Sequence, residues 1–134
     1  MIKKSILLIF LICLNILFIG CSSNSKDEVT VISKQHNGIS DFYIKDGYVY
    51  IIGGVTVQNN TNNTVSFSLE ARSDADYESE LLKSPLLIGY DNNSNSSIFT
   101  INANEVKTYT VSFVGEHGNY NKKNNRLMPY ISIK

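Results

Sequence analysis

Residues 64–72, Thr-Val-Ser-Phe-Ser-Leu-Glu-Ala-Arg, alternate without a fault: Val65, Phe67, Leu69 and Ala71 on one side, Thr64, Ser66, Ser68, Glu70 and Arg72 on the other. A period of two over nine residues is the signature of a strand with one buried face. After the first twenty residues, no segment repeats apolar residues at i, i+3 and i+4 over a useful length. Even 76–82, Asp-Tyr-Glu-Ser-Glu-Leu-Leu, is too short and acidic for more than one helical turn. The core must therefore be built from sheets.

Other segments extend this reading. Residues 48–59, Tyr-Val-Tyr-Ile-Ile-Gly-Gly-Val-Thr-Val-Gln-Asn, are rich in β-branched and aromatic residues, and Gly53-Gly54 in their middle predicts a bulge or a close backbone approach. Residues 59–63 are all Asn or Thr and make the turn into the alternating strand. In 81–90, Pro85 argues for an edge strand, because proline has no N–H for a ladder. Residues 98–101 form a short strand, and 102–105 connect it tightly to 106–114, where Tyr109, Val111 and Phe113 share a face. With short strands at the front (Val-Thr-Val-Ile-Ser, Asp-Phe-Tyr-Ile-Lys) and one at the end (Leu-Met-Pro-Tyr-Ile-Ser-Ile-Lys), the count is seven or eight. Short strands between Asn, Ser and Gly loops predict an all-β, immunoglobulin-like antiparallel β-sandwich, with a closed barrel as the alternative.

The front of the chain has a different character. Met1-Ile2-Lys3-Lys4 is a short basic start, and Ser5 to Gly20 is an apolar run broken only by Ser5 and Asn15, the length of a secretory core and short of a comfortable membrane span. Cys21 follows, then a polar stretch to Glu28. Residues 1–20 read as a signal segment, 21–28 as a flexible tether and 29–134 as one domain. Of 134 residues only Cys13 and Cys21 are cysteines. The domain therefore has no disulfide, Cys-based metal site or Cys nucleophile. Of 12 basic residues, Lys3 and Lys4 fall in the signal, leaving 10 against 12 acidic ones. No basic excess points to nucleic acid.

Ile19-Gly20-Cys21 resembles the bacterial lipobox, in which a peptidase cuts before a cysteine whose sulfur carries a diacylglyceryl group; Phe18 stands where that motif prefers Leu. The resemblance implies lipidation at Cys21 and an anchor on the outer face of the cytoplasmic membrane. Lys3 and Lys4 favour a cytoplasmic N-terminus, in agreement. Two acyl chains hold far better than one, since each buried methylene contributes about 0.8 kcal/mol. An uncleaved helical anchor is the competing reading.

Residues 53–71 followed by 99–113, within 48–114, resemble the small immunoglobulin-like extracytoplasmic domains of Gram-positive lipoproteins, similar to FxLYD-type domains. Here Phe67-Ser68-Leu69 is followed by Glu70-Ala71 rather than Tyr-Asp. The resemblance implies a cell-surface setting and an accessory or binding role.

Two sets of side chains are candidate sites. Residues 115–126 combine His117, Tyr120, Lys122, Lys123 and Arg126 in the longest loop, a contact surface for a protein, an anionic polymer or a lipid headgroup. Asp74, Asp76, Glu78 and Glu80 are four carboxylates that could contribute to a calcium site, although they lack EF-hand spacing and an extended chain would crowd them on one side. A solvated loop is the simpler reading of that set. His36 and His117 stand in no ligand-spaced motif, and no nucleophile elbow or phosphate loop occurs. No cofactor is indicated. The Asn-x-Thr triplets at Asn59 and Asn62 read as turn chemistry. The classes left are a non-enzymatic envelope-binding or accessory lipoprotein and, alternatively, a small inhibitor or immunity lipoprotein against a protease or toxin. A solute-binding lipoprotein is disfavoured by size.

Overall fold

The computed structural model describes residues 28–32, 38–119 and 129–134. The expected signal segment, Cys21 and most of the expected tether lie outside them. Among the described residues there are nine strands and one short helix: β1 (Val29–Val31), β2 (Gly38–Lys45), β3 (Tyr48–Asn59), β4 (Val65–Phe67), β5 (Leu69–Arg72), α1 (Asp74–Glu78), β6 (Leu86–Asp91), β7 (Phe99–Ile101), β8 (Val106–Glu116) and β9 (Tyr130–Ile133). All pairings are antiparallel. Seven strands form one sheet in the order β1-β3-β8-β6-β5-β9, with β2 also on β3, and β4 and β7 form a second. The protein is an all-β antiparallel sandwich. Its uneven division, seven strands against two, brings it close to the barrel.

The central ladder joins β3 and β8 from Tyr48↔Glu116 to Gln58↔Val106. Strict alternation along β3 sends Val49, Ile51, Val55 and Val57 inward, where they meet Val111 and Phe113 of β8, Leu69 and Ala71 of β5 and Leu87 of β6, all fully buried. Burying each large aliphatic or aromatic side chain contributes about 1.5–3 kcal/mol, so this apolar stripe is the main source of stability. Phe67 and Phe99 of the small sheet stack at 5.5 Å, and Tyr109 meets Phe99 edge-on at 5.3 Å. The Tyr109 hydroxyl donates to the Thr100 carbonyl at 2.7 Å, tying the small sheet to the large one.

Three expectations need correction or refinement. The alternating segment 64–72 is two strands, since β4 pairs with β7 while β5 pairs with β6 and β9. At the switch point Ser68 exchanges both backbone bonds with Lys134, 3.3 and 3.0 Å. This split makes nine strands of the expected eight. Pro85 does not mark an edge: β6 is paired on both sides, and Pro85 precedes its first residue, where no ladder N–H is required; its carbonyl accepts from Ser73 N at 2.8 Å. The expected irregularity at Gly53-Gly54 is found in the partner strand. Register slips between Ile39↔Gly53 and Asp41↔Ile52, so Ser40 is the extra residue, and its hydroxyl donates to the Ile52 carbonyl at 3.2 Å.

Candidate functional site

The two ends of the sandwich differ. At one, where the sequence places the tether, the described chain enters β1 beside the end of β3, and Asn60 N donates to the Glu28 carbonyl at 2.8 Å. At the other, β2 and β3 are joined by Asp46-Gly47, both with positive φ (52° and 81°), the conformation of a two-residue type I′ hairpin. His117 N donates to the Gly47 carbonyl at 2.9 Å. His117 thus sits at the other end of β3 from Glu28; the twelve residues of β3 span eleven steps, roughly 36 Å at about 3.3 Å per step.

The candidate loop begins later than its sequence indicates, because β8 runs on to Glu116. Of its named residues, half-buried His117 is described, whereas Tyr120, Lys122, Lys123 and Arg126 lie outside the described residues. The backbone after β8 is clamped to the segment that follows α1. Gly118 N donates to Leu81 O at 2.8 Å, Asn119 N to Glu80 O at 2.9 Å and Lys83 N to Glu116 O at 3.0 Å. A Cβ at Gly118 would collide with the Glu80 carbonyl oxygen, so only glycine allows this approach. Leu81 and Leu82 are buried beneath the clamp and fix it to the core.

Beside the clamp lies an open cleft of about 430 Å³ lined by Tyr77, Glu78, Glu80, Leu82, Lys83, Gly118 and Asn119. Sequence reasoning placed Glu78 and Glu80 in a different set and did not foresee Tyr77, Lys83 or Asn119. The one available signal was the buried pair Leu81-Leu82 directly after an acidic run, which marks where that run must dock.

The four acidic residues do not form the one-sided array of an extended chain. Asp74 to Glu78 is helical, and positions two apart on a helix point about 200° apart. Asp74 is engaged by Arg72, Nε to Oδ1 at 3.0 Å and Nη2 to Oδ1 at 2.9 Å. The hydrogen bond, and then the charge of Asp74, hold the Arg72 guanidinium above its ordinary pKa. Asp76 Oδ2 accepts from the Ser73 hydroxyl at 2.7 Å. Glu80 adopts φ 60° and lines the cleft with Glu78. Among the described residues no three His, Cys, Asp or Glu side chains are placed to hold a metal ion.

Asn59, the first residue of an Asn-x-Thr triplet, is 1% exposed. Its amide nitrogen donates to Asn63 O at 2.7 Å and Asn102 O at 3.0 Å, and its oxygen accepts from Thr61 N and Thr61 Oγ1. It is a buried fastener of the tether end and is closed to modification.

Among the described residues no helix is long and apolar enough to cross a membrane. No protein-family model, curated protein or solved structure matches the chain.

Proposed function

We propose that the chain is a lipid-anchored extracytoplasmic lipoprotein whose sandwich is a non-enzymatic binding or accessory module for an envelope protein or polymer. The reading rests on the lipobox-like Ile19-Gly20-Cys21 and on one structural relationship: Glu28, where the tether joins the fold, and His117 stand at opposite ends of β3. The seven residue steps from Cys21 to Glu28 reach at most about 25 Å, so an anchor at Cys21 keeps the Glu28 end near the bilayer. The His117 end, with its cleft, then faces away from the membrane.

Site-specific photocrosslinking tests this orientation. A crosslinker at Asn119, in intact cells, is expected to capture an envelope component that one at Asn62, at the tether end, does not. Equal capture from both ends, or capture from Asn62 alone, contradicts the reading.

A further inference from the structure

The outer face of the large sheet carries an apolar island. Alternation turns Tyr48, Tyr50 and Ile52 of β3 away from the core into which Val49 and Ile51 point, and residues paired across a ladder share a face. The register therefore lines up one row across four strands: Tyr43↔Tyr50, Tyr50↔Val114 and Ile88↔Val114. Tyr43 and Tyr50 stack at 4.7 Å. Tyr48 and Leu86 extend the island in the next row toward His117. Tyr43, Tyr48, Leu86 and Ile88 are 37%, 43%, 41% and 53% exposed. At about 200 Å² for a whole side chain these four alone present roughly 350 Å² to water, a patch of the size that is often functional on a monomer's surface.

The island has clear limits. In the half of the central ladder nearer Glu28 the outward positions are mostly polar, Thr56 and Gln58 on β3 and Thr108 and Thr110 on β8. On each flank stand charges of both signs. Asp41 and Lys45 of β2 pair with Ile52 and Tyr48, and Glu70 and Arg72 of β5 pair with Ile88 and Leu86. Each flank is therefore neutral.

We propose that this island is the contact between two copies of the chain standing side by side on one membrane, related by a two-fold axis that runs along the strands between β3 and β8. The charge pattern selects a second copy: the island has no charge of its own, and its neutral flanks meet themselves without net repulsion while offering no complement to a strongly acidic or basic partner. Height selects it too. Under the anchored reading above, on which this inference rests, the Glu28 end of every copy lies near the bilayer, so any two islands stand at the same level. The two-fold axis sets Tyr43 of one copy over Ile88 of the other and Tyr50 over Val114, in sheets about 10 Å apart. Covering the island on both copies removes roughly 700 Å², and the flanks bring the total to about 1,000 Å², the lower end for a specific interface. The dimer is accordingly weak in free solution and forms where the anchor concentrates the copies.

The test uses the full-length chain in mild detergent, with mass measured by sedimentation equilibrium up to about 100 μM. Wild type is expected to approach the mass of two chains. Ile88→Asp and Tyr48→Ser, both at exposed positions, should weaken dimerisation at least about tenfold with the melting temperature retained, and Val106→Asp, equally exposed but in the half nearer Glu28, should leave it unchanged. In isolated membranes a photocrosslinker at Tyr50 is expected to give a covalent dimer, and one at Thr108 none. A single chain at every concentration overturns the contact even where Cys21 carries lipid. A dimer lost in Ile88→Asp supports the contact even where Cys21 carries none, and removes only the anchor. A dimer unchanged by Ile88→Asp and Tyr48→Ser overturns the proposal, as does a Tyr50 adduct with a different protein in place of the dimer.

Discussion

The side-chain amide of Asn59 donates to the backbone carbonyl of Asn102 at 3.0 Å, across 43 residues of sequence. This bond, with those to Asn63 and Thr61, fastens the end of β3 to the turn between β7 and β8. Each buried group stranded by truncation costs about 1–3 kcal/mol. Asn59→Ala is therefore expected to lower unfolding free energy by about 3 kcal/mol, measured by urea denaturation. Asn62→Ala, at an exposed position of the same loop, should leave the midpoint nearly unchanged.

Tyr109 gives a pH signature. Burial, reinforced by the charges of Glu105 and Asp91, pushes its phenol up to about 12, against about 10 in the unfolded chain. The neutral phenol is favoured in the fold, so its contribution is fully present below pH 10 and is lost as pH rises from about 10 to about 12. Melting temperature should fall across that window, and Tyr109→Phe should flatten the fall. The substitution also removes the bond to Thr100, at a cost of about 1 kcal/mol at neutral pH.

Gly118→Ala drives a methyl into the Glu80 carbonyl. The backbone must yield, at a cost of about 1–3 kcal/mol. The damage is expected to be local: the amides of Gly118 and Asn119 should exchange faster while those of β3 and β8 stay protected, by hydrogen exchange with mass spectrometry.

With Asp74 held by Arg72 and Asp76 accepting from Ser73, millimolar calcium is expected to leave the melting temperature unchanged. A calcium-dependent rise that disappears in Asp74→Asn with Asp76→Asn would restore the acidic set as a cation site.

Alternation in the sequence reports which side of a strand is buried, and there it was reliable. Residues 48–59 form one strand with those bounds, and Phe67, Leu69 and Ala71 are buried while Val65 packs against the core. Alternation carries no information about which strand lies alongside. The change of sheet at Ser68 was therefore illegible, since Leu69 continues inward as if the strand were unbroken. Pro85 misled because the edge rule applies to residues inside a strand, and it lies just outside. Of the residues that line the cleft, the sequence singled out Glu78 and Glu80, and as part of a different set. Tyr77, Lys83 and Asn119 meet through backbone bonds between 80–83 and 116–119, contacts between distant segments that no local pattern encodes.

The membrane-anchored reading turns on Cys21. Mass spectrometry of the N-terminal peptide of the mature protein, isolated from membranes, tests it most directly. The expected result is a chain that starts at Cys21 and carries the added mass of a diacylglyceryl group. An intact Met1, or a Cys21 without lipid, would contradict it.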